Sequence, residues 1–313
     1  MKALVTGTAG FIGSHLAETI IEQGGMVYGI DNFTDYYPRS IKEKNIKRLL
    51  KNNSFSFLEG SIQHMLLTPI IDQVDYVFHL AAQAGVRASW DKNFYIYTTN
   101  NINALQHLLE ECKGRNLKKI VFASSSSVYG ETKELPMKES AELAPVSPYG
   151  LTKVVGEKLC ALYLKTFHIP VVSLRYFTVF GPRQRPDMAF YKFMHNIYHG
   201  KPITIYGDGT QTRDFTFVND VVLATLNAAV TGRTGEIYNI GGGNRNKLID
   251  VLDTLFKITK KTTEIVFIET QKGDVKDTFA HIEKAAQDFH YSPTVSLLQG
   301  LAEQWKWFLE IDK

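Results

Sequence analysis

Apolar residues recur along this chain in two alternating periods. Residues 2–6 (KALVT) form a short apolar run that leads into glycines, and residues 12–24 carry apolar side chains at helical spacing through Ile12, Leu16, Ile20 and Ile21. A second short run, 26–31 (MVYGID), ends on an acid. A buried run, an amphipathic stretch and another buried run make a strand–helix–strand unit. The pattern continues: 55–60 (FSFLEG), 74–82 (VDYVFHLAA), 118–125 (KKIVFASS) and 171–177 (VVSLRYF) read as strands, and the stretches around 97–114 and 149–167 as helices. Such alternation predicts an α/β fold of Rossmann type, a doubly wound, mostly parallel sheet with helices on both faces.

Beyond about residue 178 the alternation loosens. GPRQRPD (181–187) is a proline-rich connection, KPITIYGDGTQTRDFTFV (201–218) reads as short strands around a turn, and EIYNIGGG (236–243) as a strand and a glycine turn. Helical patterning near 219–230, 247–260 and 296–310 completes a smaller α/β lobe. The expected division is a Rossmann domain over 1–178 and a C-terminal lobe over 179–313, with an approximate boundary that strands are free to recross. No repeat or low-complexity linker separates the two, so they are expected to pack around one cleft.

Composition narrows the function classes. The 313 residues are 44% apolar and 21% charged, an ordinary globular balance with enough chain for a large core. A net charge of +3 gives no reason to expect a nucleic-acid partner. The basic stretch 42–51 reads as a solvated helix face. Cys112 and Cys160 sit in helical, apolar-periodic segments without metal-ligand spacing, so no metal is expected, and two buried thiols suit a reducing cytoplasm. The N-terminus enters a strand directly and no apolar stretch approaches 18 residues, so neither a signal peptide nor a membrane partner is expected.

The candidate chemistry begins in VTGTAGFIGSH. Gly7 permits a tight strand-to-helix turn, Gly10 lets backbone approach a pyrophosphate, and Gly13 lets the helix pack close to the sheet. The free N–H groups at the helix start then meet the phosphates. Asp31, at the end of the next strand, is placed to accept hydrogen bonds from ribose hydroxyls and to repel a 2′-phosphate, which favours NAD over NADP. His79-Leu80-Ala81-Ala82 ends a strand in small side chains, across which a cofactor can lie; His79 itself reads as structural. Tyr149 and Lys153 stand four apart in SPYGLTK, on one helix face. A free phenol has a pKa near ~10 and is a poor base, but a neighbouring ammonium and an oxidised nicotinamide favour the phenolate. The serine run 124–127 supplies a hydroxyl to hold a substrate oxygen in line with the tyrosine.

Taken together, TGTAGFIGSH, HLAAQ, SSSSVYG, SPYGLTK and RDFTFVNDV resemble the extended short-chain dehydrogenase/reductase family of nucleotide-sugar epimerases and dehydratases, over nearly the whole chain. DNFTDYYPRSIKEKNIKRL, AAQAGVRASW and LRYFTVFGPRQRPDMAF resemble its UDP-glucuronate 4-epimerase group. The resemblance implies NAD contacts at Phe11, Ile12, Asp31, Asn32, Ala81, Ala82, Asn100, Tyr149, Lys153 and Phe177, and a catalytic serine at Ser125. It implies substrate contacts at Thr178 and Arg185, a UDP pyrophosphate contact at Arg213 and a further contact at Arg87. Relatives usually carry an acid at Ser61 and, in the galactose type, an arginine at Gln271, leaving Arg213 and Arg185, with Lys272, to clamp UDP. A homodimer through the 97–114 and 149–167 helices is also implied.

The implied reaction is NAD-dependent 4-epimerisation of a UDP-sugar through a 4-keto intermediate, from UDP-glucuronate to UDP-galacturonate. Decarboxylases and dehydratases of the family resemble this chain but carry carboxylates in the segment where Ser126 and Ser127 stand. Here hydroxyls face the sugar, suited to holding a C6 carboxylate rather than driving chemistry at C5 or C6. The alternatives are a 4-epimerase for UDP-glucose/UDP-galactose or UDP-pentoses, a decarboxylase, and a non-catalytic NAD-binding regulator.

Overall fold

A computed structural model describes residues 1–132 and 134–311. The first six strands are β1 (Lys2–Thr6), β2 (Met26–Asp31), β3 (Phe55–Glu59), β4 (Tyr76–His79), β5 (Lys119–Ser125) and β6 (Val171–Tyr176). The remainder are β7 (Thr178–Phe180), β8 (Ile203–Tyr206), β9 (Thr212–Phe217), β10 (Ile237–Ile240), β11 (Arg245–Lys247) and β12 (Ile265–Ile268). The main sheet has the order β10-β6-β5-β4-β1-β2-β3, and every pair in it is parallel. The chain winds outward from β1 to β3, returns to β4 and winds outward the other way. Between β1 and β4 the crossovers diverge, and a crevice opens at the carboxyl ends of the strands.

Neighbouring residues of each central strand feed opposite faces. Val5, Phe78 and Val121 join the core beneath the helices Phe11–Glu22 and Val218–Val230, while Leu4, Val77 and Ile120 pack under Ala104–Glu111 and Pro148–Phe167. With both faces covered, the strands are apolar throughout, which is why they read as runs rather than alternations.

Two features differ from the sequence reading. The strands within 201–218 form, but they do not pair with each other: β8 pairs with β12, and β9 lies between β11 and β7. The helix expected over 97–114 is three pieces, Phe94–Tyr97, a wide π segment Thr98–Asn103, and Ala104–Glu111. Asn101 lies in the π segment and is buried. It bonds both backbone groups of Gln83, at 2.7 and 3.0 Å, and the Thr152 hydroxyl at 3.0 Å. Widened turns of this kind gather at functional sites because they aim a side chain that a regular helix would not.

Candidate active site

The crevice at the switch point is a cleft that runs from the glycine turn at Gly7 to Tyr149 and Lys153. Gly7 forms its floor with φ +72°, and a Cβ there would meet the Ala81 backbone nitrogen at 2.8 Å. Gly7 donates to Ile30 O and accepts from Gly10 N, at 2.8 and 3.0 Å. A Cβ on Gly13 would lie 2.2 Å from Gly7 O. The close approach that Gly13 permits is thus between the helix and the turn itself. No side chain caps the helix Phe11–Glu22, so its first N–H groups are available to an anion. Asp31 is held by Ala9 N and Phe33 N at 3.0 and 2.9 Å, and burial pushes its carboxyl up. Phe11, Ile12, Asn32, Ala81, Ala82 and Asn100 complete this wall. Asn32 donates to Ser61 Oγ at 3.0 Å, so the serine that replaces the usual acid supports Asn32. A cradle closed to any Cβ, beside a carboxylate, fits the expected dinucleotide.

The proton-handling groups stand at the opposite end. Ser147 caps the helix Pro148–Phe167 through Gly150 N at 3.0 Å, with Pro148 at its first position, and this sets Tyr149 in the first turn. A Cβ on Gly150 would meet Ser127 O at 2.5 Å, so the helix start is pressed onto the serine turn. Burial pushes the Tyr149 phenol up; the neighbouring Ser125 hydroxyl and the charge of Arg185 pull it down. Lys153 is buried, donates to Ala123 O at 2.7 Å and lies 5.9 Å from the Tyr149 ring centroid. Burial lowers its pKa to about 8, so it remains mostly charged at neutral pH. The pull of Arg185 on Tyr149 is a contribution that the spacing of Tyr149 and Lys153 did not predict.

The serine run divides by partner. Ser124 donates to Glu157 at 2.5 Å, and Glu157 is ion-paired to Arg175 at 2.7 Å beneath the sheet end. Ser125 caps the turn of Ser126 and Ser127, accepting from Ser127 N and donating to Ser127 Oγ, both at 3.1 Å, at the edge of the cleft rather than in its lining. Arg185 lines the cleft and chelates Asp187 at 2.9 and 3.0 Å. Arg213 and Arg87 form a separate cluster around residues 274–276. Arg213 donates to Thr212 O, Val275 O and Lys276 O, and Arg87 pairs with Asp274 at 2.6 Å while stacking over the Tyr206 ring at 3.9 Å. Ser126, Ser127 and Thr178 are half-buried beside the cleft wall and do not line it.

Phe177 does not line the cleft either. Its ring is buried against Tyr129, at 6.3 Å between centroids, and the wall at that point is Tyr176. His79 is structural: buried, bonded to Thr6 Oγ1 at 2.9 Å, stacked on Phe122, and held neutral by burial with a pKa of about 3. The basic stretch 42–51 is not wholly a solvated face. Lys42 is buried, donates to Thr34 O at 2.5 Å, lies over the Tyr37 ring and lines the cleft near Asp31. Its signal was present: Lys42, Asn45, Ile46 and Leu49 fall at helical spacing and are the buried positions there. Tyr36 and Tyr37, which also line the cleft, come from a loop with no periodicity to betray them.

A model of the NAD dependent epimerase/dehydratase family matches residues 3–241. The solved structure of UDP-glucuronic acid 4-epimerase from Bacillus cereus, in complex with UDP-glucuronic acid and NAD, superposes with a TM-score of 0.97 at 46% identity, covering 99% of this chain and 100% of that one. An uncharacterized UDP-glucose epimerase of Bacillus subtilis, YtcB, is 46% identical over 97% of this chain and 96% of its own. A UDP-glucuronate 4-epimerase of Thermodesulfobacterium geofontis is 38% identical over 98% and 96%.

Proposed function

This chain belongs to the NAD dependent epimerase/dehydratase family, and on that footing we propose that it is an NAD-dependent isomerase that inverts C4 of a UDP-sugar, converting UDP-glucuronate to UDP-galacturonate through a 4-keto intermediate. The observation that carries this reading is the meeting of a dinucleotide cradle with Tyr149 and Lys153 in one cleft, with the Ser125 hydroxyl near enough to pull the tyrosine pKa down. Bound NAD supplies the acceptor and donor of the C4 hydrogen and, when oxidised, a positive charge near the phenol.

The chain's own groups do the rest. The glycine turn and the uncapped helix start hold the pyrophosphate, and Asp31 accepts the ribose hydroxyls. Tyr149 takes the proton of the sugar 4-hydroxyl and later returns it, while Ser125 keeps that oxygen in line. Lys153 keeps its charge on the cleft side of the same helix. Arg213, with Arg87, anchors the UDP diphosphate while the keto sugar presents its other face.

Arg185 in the cleft, with the Ser126, Ser127 and Thr178 hydroxyls just behind its wall, favours a uronate. These groups can reach the C6 carboxylate when the sugar binds, and the serine turn brings no carboxylate of its own to deprotonate C5. A 4-keto uronate is a β-keto acid, so fixing its carboxylate also restrains loss of CO2. A neutral UDP-hexose as substrate is the second reading, favoured by one observation: Asp187 already matches the charge of Arg185. Turnover of UDP-glucuronate, UDP-galacturonate, UDP-glucose and UDP-xylose by one preparation tests the choice. Faster interconversion of UDP-glucose and UDP-galactose than of the uronates rejects the uronate reading.

The working form is a cytoplasmic homodimer. Leu151 and Leu162 are 47% and 55% exposed and lie three turns apart on one face of Pro148–Phe167. The nearby Tyr95 is 68% exposed. Two buried, unpaired thiols suit a reducing compartment. Light scattering at micromolar concentration reads the dimer directly, and a monomer there rejects it.

A further inference from the structure

Tyr36 and Asp187 are far apart in the chain and meet beside the cleft, where the Tyr36 hydroxyl donates to Asp187 Oδ2 at 3.2 Å. Tyr36 belongs to the loop that follows β2 and runs on from Asp31 and Asn32 on the cofactor wall. Asp187 belongs to the connection that carries Arg185, and its carboxylate also binds that guanidinium through both oxygens. Tyr36 and Arg185 both line the cleft, with the guanidinium 6.0 Å from the Tyr36 ring centroid. Behind Tyr36 the chain is drawn tight. Gly85 has φ +104°, and a Cβ there would lie 2.3 Å from the Tyr36 hydroxyl. Tyr97 donates to Ala84 O and Gly85 O at 2.9 and 2.8 Å, and its ring stands edge-on to Tyr149 at 6.3 Å. One run of contacts beside the cleft thus leads from Arg185 and Asp187 through Tyr36 and Gly85 to Tyr97 and Tyr149.

We propose that Asp187 is a positioning residue with two tasks: through Tyr36 it latches loop 33–37 against the bound dinucleotide, and through Arg185 it sets the charge that faces Tyr149. The proposal rests on the site being the epimerase centre described above, but the latch holds whichever sugar is the substrate. The Tyr36–Asp187 bond is the point where the cofactor loop and the Arg185 connection are tied by a carboxylate, and a bond to an ionised acceptor is stronger than a neutral one. Facing Tyr149 are Lys153 from its own helix, Tyr97 from Phe94–Tyr97, Ser125 from the end of β5 and Arg185 from the connection. Of these, Arg185 is the charge that Asp187 offsets directly. An unpaired Arg185 stabilises the phenolate more strongly, so loss of the Asp187 charge eases ionisation of Tyr149.

The test uses the purified holoprotein and its Tyr36→Phe, Asp187→Asn, Asp187→Glu and doubly substituted Tyr36→Phe/Asp187→Asn variants. Exchange of bound NAD with isotope-labelled NAD in the medium is timed without any sugar present. Tyr36→Phe and Asp187→Asn each speed exchange roughly ten-fold, the scale of one charge-assisted hydrogen bond. The double variant is no faster than Asp187→Asn, because both changes break one contact. Asp187→Glu restores part of the retention. In Asp187→Asn the acid limb of kcat/KM moves to lower pH, while in Tyr36→Phe it stays in place. Wild-type exchange in both single variants, or additive rates in the double, overturns the latch. An acid limb in Asp187→Asn that stays put or rises overturns the charge task. Should Asp187→Asn fail to fold, Tyr36→Phe decides the latch and Asp187→Ser the charge. A protein that turns over no UDP-sugar yet gives the predicted exchange rates refutes the functional reading and leaves the latch standing.

Discussion

Tyr149 must give and take a proton in surroundings that resist its ionisation. Burial raises its pKa, and the neighbouring Ser125 hydroxyl and the charge of Arg185 work the other way. Tyr149→Phe is expected to lower kcat by roughly 10²- to 10⁴-fold or more, as for loss of a general base, with UDP-sugar affinity by calorimetry little changed. Ser125→Ala should cost less, and a Phe variant near the wild-type rate contradicts the assignment. Arg185→Ala is expected to depress uronate turnover more than any turnover of UDP-glucose, and to raise the fraction of decarboxylated 4-keto-pentose seen by mass spectrometry. Equal losses on both sugars would place Arg185 outside carboxylate recognition. Gly7, Tyr149 and Lys153 were legible in the sequence because the chemistry dictates residue type and spacing within one element. Tyr36 and Asp187 were not, because they act across loops, where no spacing records which residues meet.

The elements matter through their close approaches. The helix Phe11–Glu22 starts where it does because Gly13 leaves room for the Gly7 carbonyl. A methyl group at residue 13 must push the helix from the turn, since the atom it meets is backbone and cannot swing aside. Gly13→Ala is therefore expected to yield protein with little bound NAD, read as the cofactor released on denaturation, and with a lower thermal midpoint. Full cofactor content in that variant would show that the turn is slack. The strands and helices of the main sheet were legible because both of its faces are buried and the runs are apolar throughout. What escaped was pairing and local winding. The strands within 201–218 were visible, but not that each pairs in a different sheet. The π segment Thr98–Asn103 was hidden because its cause is a tertiary one, the bonds of Asn101 to Gln83 and Thr152.

At the scale of the whole molecule, buried titrating groups set the acid limit of the fold. His79 and His15 are held neutral, with pKa values of about 3 and about 4 against an ordinary 6.5. The unfolded chain binds those protons first, so the stability they confer is complete above pH 6.5 and is lost as pH falls toward 4 and 3. Asp214, pushed up to about 6 by burial, acts in the opposite sense, its share being lost as pH rises through 6. His15→Gln keeps a donor for Pro182 O, to which His15 Nε2 is bonded at 2.9 Å. Its thermal midpoint is expected to fall less between pH 6.5 and 4 than that of the wild type, and an identical pH dependence would contradict the account. The cleft brings the two ends of the chemistry together, the dinucleotide cradle from β1 and β2 and the tyrosine helix after β5. The claim that follows is internal transfer, in which the hydrogen that leaves C4 returns to C4. UDP-glucuronate carrying deuterium at C4, incubated with the purified protein and no added cofactor, tests it by proton NMR and mass spectrometry. The account predicts UDP-galacturonate that keeps its deuterium at C4. Product with solvent hydrogen at C4, or a pentose in its place, would contradict it.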